Sequence, residues 1–190
     1  MKSTIVILAL AGSHCASGVV TVQSYSHSPA PSSSYPDSGN QELTDGIGDV
    51  PTWGGGNTIT ASDIGPFVGW LNTNASTTFT FDSSYNVSRV TVWAADSDGA
   101  AGVGLPLTIT LTDPNSSFTQ TFNVTNPAGA GDMLPIVMDG FSVNTNQLQV
   151  SFTRGQAWTM LSEVSFETVP EPSSGILMAV TSLFVFRRKP

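Results

Sequence analysis

The chain reads as an all-β protein, an antiparallel β-sandwich of jelly-roll type. Three observations lead there. Apolar residues recur at every second position with threonine or serine between them. Turn residues separate these runs at short intervals. Outside the two ends, no helical period is sustained for about ten residues. Alternation of period two with a polar opposite face marks half-buried strands.

Taken in order, Val20 and Val22 alternate with Thr21 and Gln23. Phe79 and Phe81 flank Thr80. Val90 and Val92 alternate with Arg89, Thr91 and Trp93. Leu107, Ile109 and Leu111 alternate with three threonines. Phe118, Phe122 and Val124 keep mostly even spacing. Leu148, Val150 and Phe152 alternate with Gln149 and Ser151, and Val164 and Phe166 close the series. Between them stand turn signals: Asp96 to Gly99, Asp113-Pro-Asn115, Asn126 to Gly129, Asp139-Gly140 and Arg154-Gly155. Seven or eight short strands over about 150 residues fit one sandwich with a core large enough to fold alone. From Ser24 to Thr60 the chain reads as a long loop. Tyr25, Tyr35, Leu43, Ile47, Val50 and Trp53 are spaced through it, so it is expected to pack onto the sandwich.

The ends differ from the middle. Lys2, then Ile5 to Ala11, then small residues around Ala16 and Gly18 have the layout of a secretory signal peptide over 1–18. A buried first strand is the alternative. Cleavage there would remove Cys15, the only cysteine, leaving no thiol for a disulfide, a metal or a nucleophile. The domain is then 19–168, with a C-terminal segment at 169–190. Between Val19 and Val169, thirteen acids face only Arg89 and Arg154, a balance of about −11. Such a surface excludes nucleic acid and anionic membrane as partners and suits cations.

The C-terminal segment is VPEPSSGILMAVTSLFVFRRKP. Ser173 to Phe186 is fourteen residues. A spanning helix needs about 20. Arg187, Arg188 and Lys189 would stay cytoplasmic and orient a short hydrophobic helix with the domain facing outward. Val169, Pro170, Glu171, Pro172 and Ser173, followed by a short apolar stretch and a terminal basic cluster, resemble the PEP-CTERM sorting signal. That resemblance implies recognition by an exosortase and only transient residence in the membrane. It further implies export to the envelope or matrix of a Gram-negative bacterium that makes exopolysaccharide. A permanent tail anchor is the alternative.

Two stretches in the middle, Tyr35 to Gly46 continuing to Asp49, Thr52 and Trp53, and Leu161 to Phe166, together resemble the discoidin or galactose-binding-like sandwich. In that family an Asp-Gly loop near the start meets a glutamate on the last strand, and the loop often holds a structural calcium. Carried over, the resemblance implies Asp45, Asp49, Thr52 and Glu163 as ligands, with Asp37 as an outlying candidate. Calcium takes six to eight hard oxygens, so backbone carbonyls near Leu43 to Gly46 would complete the shell. The alternative is a plain Asp45-Gly46 turn and a solvated Glu163.

Nothing marks an enzyme. Cys15 aside, His27 is the only histidine beyond the signal peptide, and no Gly-x-Ser-x-Gly or His-Glu-x-x-His motif occurs. Acids are plentiful, but no pair stands out as catalytic. Asp96 to Gly99 lacks the rest of an EF-hand, and Gly54 to Gly56 lacks the lysine of a phosphate loop. Trp53, Trp70, Trp93 and Trp158 are either packing residues or sugar platforms. Arg89 and Arg154 either pair with acids or bind a ligand. Two functions therefore compete. One is a non-catalytic exported protein associating with exopolysaccharide or the cell surface. The other is a calcium-dependent, lectin-like carbohydrate-binding module. A defined sugar pocket would group aromatic, arginine and amide side chains, a grouping not visible along the chain.

Overall fold

A computed structural model describes residues 18–37, 39–49, 67–97, 100–127 and 132–168. The signal-peptide segment, Thr52, Trp53 and everything from Val169 onward, including Pro170 to Ser173 and Arg187 to Lys189, lie outside the described residues. Among those described, eight strands occur: β1 (Val22–Ser28), β2 (Val68–Leu71), β3 (Ala75–Asp96), β4 (Thr108–Thr112), β5 (Thr119–Asn123), β6 (Asp132–Met138), β7 (Val143–Thr153) and β8 (Trp158–Thr168). Two short 3-10 turns, Glu42–Thr44 and Ala100–Gly102, join them, and every strand pairing is antiparallel. They belong to one compact unit, Val19–Val169.

The organising element is β3. It runs for 22 residues, where roughly five or six is usual. Its first half, Ala75 to Phe81, lies between β1 and β7. A register irregularity follows between Thr80 and Tyr85. Its second half then lies between β8 and β6. One strand thus serves two layers, β1-β3-β7-β4-β5 and β6-β3-β8-β2. A strand that bends at an irregularity and changes layer is how a sandwich makes its corner.

The layers meet through aromatic side chains. Trp70 of β2 stacks on Phe152 of β7 with centroids 6.2 Å apart, and Phe79 of β3 meets Phe166 of β8 edge-on at 4.9 Å. Ile109, Leu111, Leu148 and Val150 are fully buried beside them. Removing a side chain of this size from water contributes about 1.5–3 kcal/mol, so this seam is the main source of stability.

The four-stranded layer is apolar on both faces. Val68 and Trp70 point into the main core, while Phe67, Ala95, Met133 and Met160 form a second cluster on the other face. That cluster is roofed by the β1–β2 loop and the β3–β4 loop through Tyr35 and Val103, with Trp93 and Trp158 packed in. Close approach is built in. A Cβ on Gly69 would stand 2.9 Å from the Cβ of Tyr35, and one on Gly48 would collide with the Trp93 indole.

Several expectations need correction. Ser24 to Ser28 is not loop but β1, because Tyr25 and His27 face inward while the serines face water. Leu107 is not a core position: β4 begins one residue later and Leu107 is 59% exposed. β2 and β6 escaped the alternation test. β2 is buried on both faces, and β6 carries Pro135, tolerated on an edge strand that needs no ladder donor there. β1 forms its ladder with β3; among the described residues the Val19–Glu167 bridge and the Val20 N–H to Phe166 carbonyl bond (3.1 Å) link the chain just before β1 to β8.

Candidate functional site

The β1–β2 loop is held by a buried polar knot. Asp37 accepts hydrogen bonds from the backbone N–H groups of Gln41 (3.1 Å) and Glu42 (3.3 Å) through one oxygen. Its other oxygen meets His27 Nε2 at 2.9 Å, and the two side chains are 4% and 2% exposed. His27 Nδ1 lies 2.9 Å from the Thr77 hydroxyl. The Tyr25 hydroxyl accepts the Leu43 N–H at 3.1 Å, which seats Leu43 in the core. Burial, and then the Asp37 carboxylate bonded to it, push the Tyr25 phenol far above its ordinary value. Asp37, the outlying calcium candidate, is therefore committed to this knot. His27, unremarkable in a Ser/Pro-rich stretch, is its centre.

Eight residues further on, the loop crosses β8. Glu163 pairs with Trp93 in register and is 7% exposed, so it is no solvated strand residue. Its Oε2 accepts the Gly46 N–H at 3.1 Å. Gly46 has φ +83°, a conformation glycine adopts without strain. Asp45 caps the turn, accepting the Ile47 N–H at 2.8 Å, and its carboxyl is hydrogen-bonded to Glu163. Behind them Ser162 donates to the Gly48 carbonyl at 2.7 Å. Burial above all, with the neighbouring Asp45 charge, pushes Glu163 up to about 7, against the pull of the Gly46 N–H.

Of the four ligands the resemblance implies, the fold brings Asp45 and Glu163 together. Asp49 is exposed, and Thr52 lies outside the described residues. Among the described residues no three His, Cys, Asp or Glu side chains gather as a metal cluster. The donor set on hand is two converging carboxyls beside a groove of about 440 Å³ lined by Val19 to Val22, Thr44 to Gly46 and Glu163 to Phe166. Any further oxygens for calcium would have to come from carbonyls or water.

A second constellation forms where three turns meet at the end of the sandwich from which β2 and β7 leave. Asn72, in the left-handed region at φ 53°, donates its N–H to the Ala157 carbonyl at 2.6 Å. Asn74 Oδ1 accepts the Arg154 N–H at 3.1 Å across 80 positions. Gly155 lies against the Leu105 carbonyl, where a Cβ would collide, and Gly104 lies against Gln156. The Arg154 guanidinium donates to the Gln156 carbonyl at 3.3 Å. Among the described residues Arg154 makes no ion pair, unlike Arg89, which lies 3.8 Å from Asp139 and 3.6 Å from Glu167. Tyr35 meets Trp158 edge-on at 5.2 Å nearby, and Leu71 and Leu107 are 45% and 59% exposed. Arginine, amides, an aromatic pair and exposed leucines are thus grouped by the fold from segments far apart in sequence. Trp70 is not part of it: it is buried, with Nε1 donating to the Pro29 carbonyl at 3.0 Å. Asp96 is buried as well, while Asp98 and Gly99 lie outside the described residues.

The architecture is shared with known sugar-binding modules. The lectin domain of lectinolysin, solved with Lewis B antigen, superposes with a TM-score of 0.53 at 14% identity, over 76% of this chain and 92% of that one. A Streptococcus pneumoniae fucose binding module gives 0.54 at 13% identity, over 80% and 96%. At such identity the likeness is one of fold. No family model and no curated protein matches the sequence.

Proposed function

We propose that this domain is a non-catalytic carbohydrate-binding module, carried on an exported chain that a PEP-CTERM signal sorts to the cell envelope or matrix. The observation that carries the binding reading is the three-turn cluster at Asn72, Asn74, Arg154 and Gln156. Arginine without a carboxylate partner offers a planar set of donors that suits vicinal hydroxyls or a sugar carboxylate. Amides supply both donors and acceptors. The exposed leucines provide apolar contact for a sugar's C–H face. The two solved modules of like fold, one in complex with Lewis B antigen and one described as fucose-binding, support the same reading.

Calcium has a structural place in this proposal. Asp45 and Glu163 would hold the ion against the β1–β2 loop, and it would supply the positive charge that the buried carboxyl lacks. Exosortase would act at Val169 to Ser173, before the basic anchor Arg187, Arg188 and Lys189, so contact with the membrane would be transient.

Glycan-array binding of the exported protein tests the function. Binding to at least one sugar is expected, weakened roughly tenfold or more in Arg154→Ala. An unaltered melting temperature in that variant would show that the loss is local. No binding to any glycan, or full binding by Arg154→Ala, would overturn the assignment.

A further inference from the structure

The outward face of the five-stranded layer is an ordered grid of uncharged polar side chains. Registers across the strands place Ser26, Thr78, Gln149, Thr112 and Thr119 in one row. The next row is Ser28, Ser76, Ser151, Thr110 and Thr121. Neighbouring strands stand about 4.8 Å apart, so each row presents a hydroxyl or amide at that interval. These side chains are half-buried or exposed, while Tyr25, Phe79, Val150, Phe152, Ile109 and Leu111 on the opposite face enter the core.

The grid is internally ordered. Thr110 and Thr121 hydroxyls are 2.9 Å apart and those of Thr112 and Thr119 3.4 Å apart. Gln149 Nε2 donates to Thr78 at 3.3 Å, and Gln147 Nε2 to Thr80 at 3.1 Å. Side chains already fixed by such bonds lose less freedom when a ligand docks. The two rows themselves carry no acid and no base, in a chain of net charge −8. Asp82, two positions after Thr80 in β3, is exposed at the margin of the grid, and Asp113 directly follows β4.

Partner chemistry follows by elimination. Nucleic acid needs cations, which this face lacks. A stable protein interface needs an apolar centre with aromatic anchors, and none projects here. An acidic polymer would meet the repulsion of the surrounding carboxylates. A neutral polyhydroxyl partner both donates and accepts without net charge, as do the threonine hydroxyls. Strand-to-strand twist of about 20–25° accumulates over five strands. A planar lattice would therefore touch only part of the grid, whereas a flexible chain follows it.

We propose that this face is a second contact surface, for a neutral polysaccharide chain lying across the strands. It shares no residue with the three-turn cluster and stands or falls separately from it. The test is affinity electrophoresis of the exported protein through gels containing hydroxyethyl cellulose, dextran or alginate. Retardation by a neutral polymer is expected, with no change between about 50 and about 500 mM NaCl, whereas any retardation by alginate should be the same in the grid variants as in the wild type. The variant Thr78→Val/Thr110→Val/Thr121→Val keeps the β-forming shape and removes the hydroxyls. It should lose about fivefold or more of the retardation while keeping its melting temperature and its binding to small glycans on the array. A lysine version, Thr78→Lys/Thr110→Lys, should lose it too. Migration unaffected by every neutral polymer, or retardation unchanged in the valine variant, overturns the proposal. Adsorption to growing ice with no polymer retardation also overturns it, reassigning the face to a water lattice. Polymer retardation with an empty glycan array would leave this surface standing and remove the three-turn site.

Discussion

Glu163, on β8, accepts the backbone N–H of Gly46 at 3.1 Å across 117 positions of sequence. That bond ties the β1–β2 loop to the four-stranded layer and buries a carboxyl beside a second one. Burial raises Glu163 from 4.5 to about 7. A folded-state value above the unfolded one means that folding favours the protonated form. The stabilisation is fully present below about 4.5 and is lost as pH rises through about 7. The melting temperature, measured relative to Glu163→Gln, should fall across that window. The free-energy difference is on the order of 3 kcal/mol. A wild type and variant that run in parallel across pH would show that Glu163 titrates normally.

Calcium should reverse this trend. A cation between Asp45 and Glu163 favours the ionised carboxyls, so added calcium should raise the melting temperature more above about pH 7 than below about 4.5. Asp45→Asn or Glu163→Gln should abolish the increment. Scanning calorimetry with and without chelator decides the matter: identical melting temperatures above neutral pH would remove these residues as calcium ligands.

Asp37 holds the loop through its bonds to His27, Gln41, Glu42 and Tyr25. Asp37→Ala strands several buried donors and should cost about 3–5 kcal/mol in urea unfolding. Asp37→Asn retains an acceptor and should cost less. Limited proteolysis should cut residues 39–49 faster in the alanine variant. A loss within about 0.5 kcal/mol would class Asp37 as an ordinary surface residue.

Sorting makes a prediction about mass. In the native host the mature protein should end near Pro170 to Ser173. Intact-mass measurement that finds Arg187 to Pro190 still attached would discard exosortase processing and favour a permanent anchor.

Alternation was a reliable guide wherever one face of a strand meets the core and the other meets water. Ile109 and Leu111, then Leu148, Val150 and Phe152, and Val164 with Phe166 are all buried as their spacing implies. It failed for β2, where Val68 and Phe67 are buried on opposite faces because loops roof the outer one. It failed for β1 because its inward residues, Tyr25 and His27, are polar and satisfied by partners far along the chain. The site divides the same way. Asp45 and Glu163 were visible through family likeness. The three-turn cluster was not, because Asn74 and Arg154 lie 80 positions apart and only the fold makes them neighbours. Arg154-Gly155 and Asn74-Ala75 each look locally like nothing more than turns.

The places where the chain enters and leaves the sandwich give it a mechanical polarity. Val19 bridges Glu167, so entry and exit adjoin. Thr168, however, ends a strand paired with β3 from Leu161 onward and with β2 over Trp158 to Leu161, whereas Val19 is held by one bridge ahead of an edge strand. Force applied beyond Thr168 loads the ladders of β8 together, in shear. Force applied before Val19 peels β1 from β3 one bond at a time. A load carried through the C-terminal side thus grips the domain by its strongest handle, and tension from the other side meets its weakest seam.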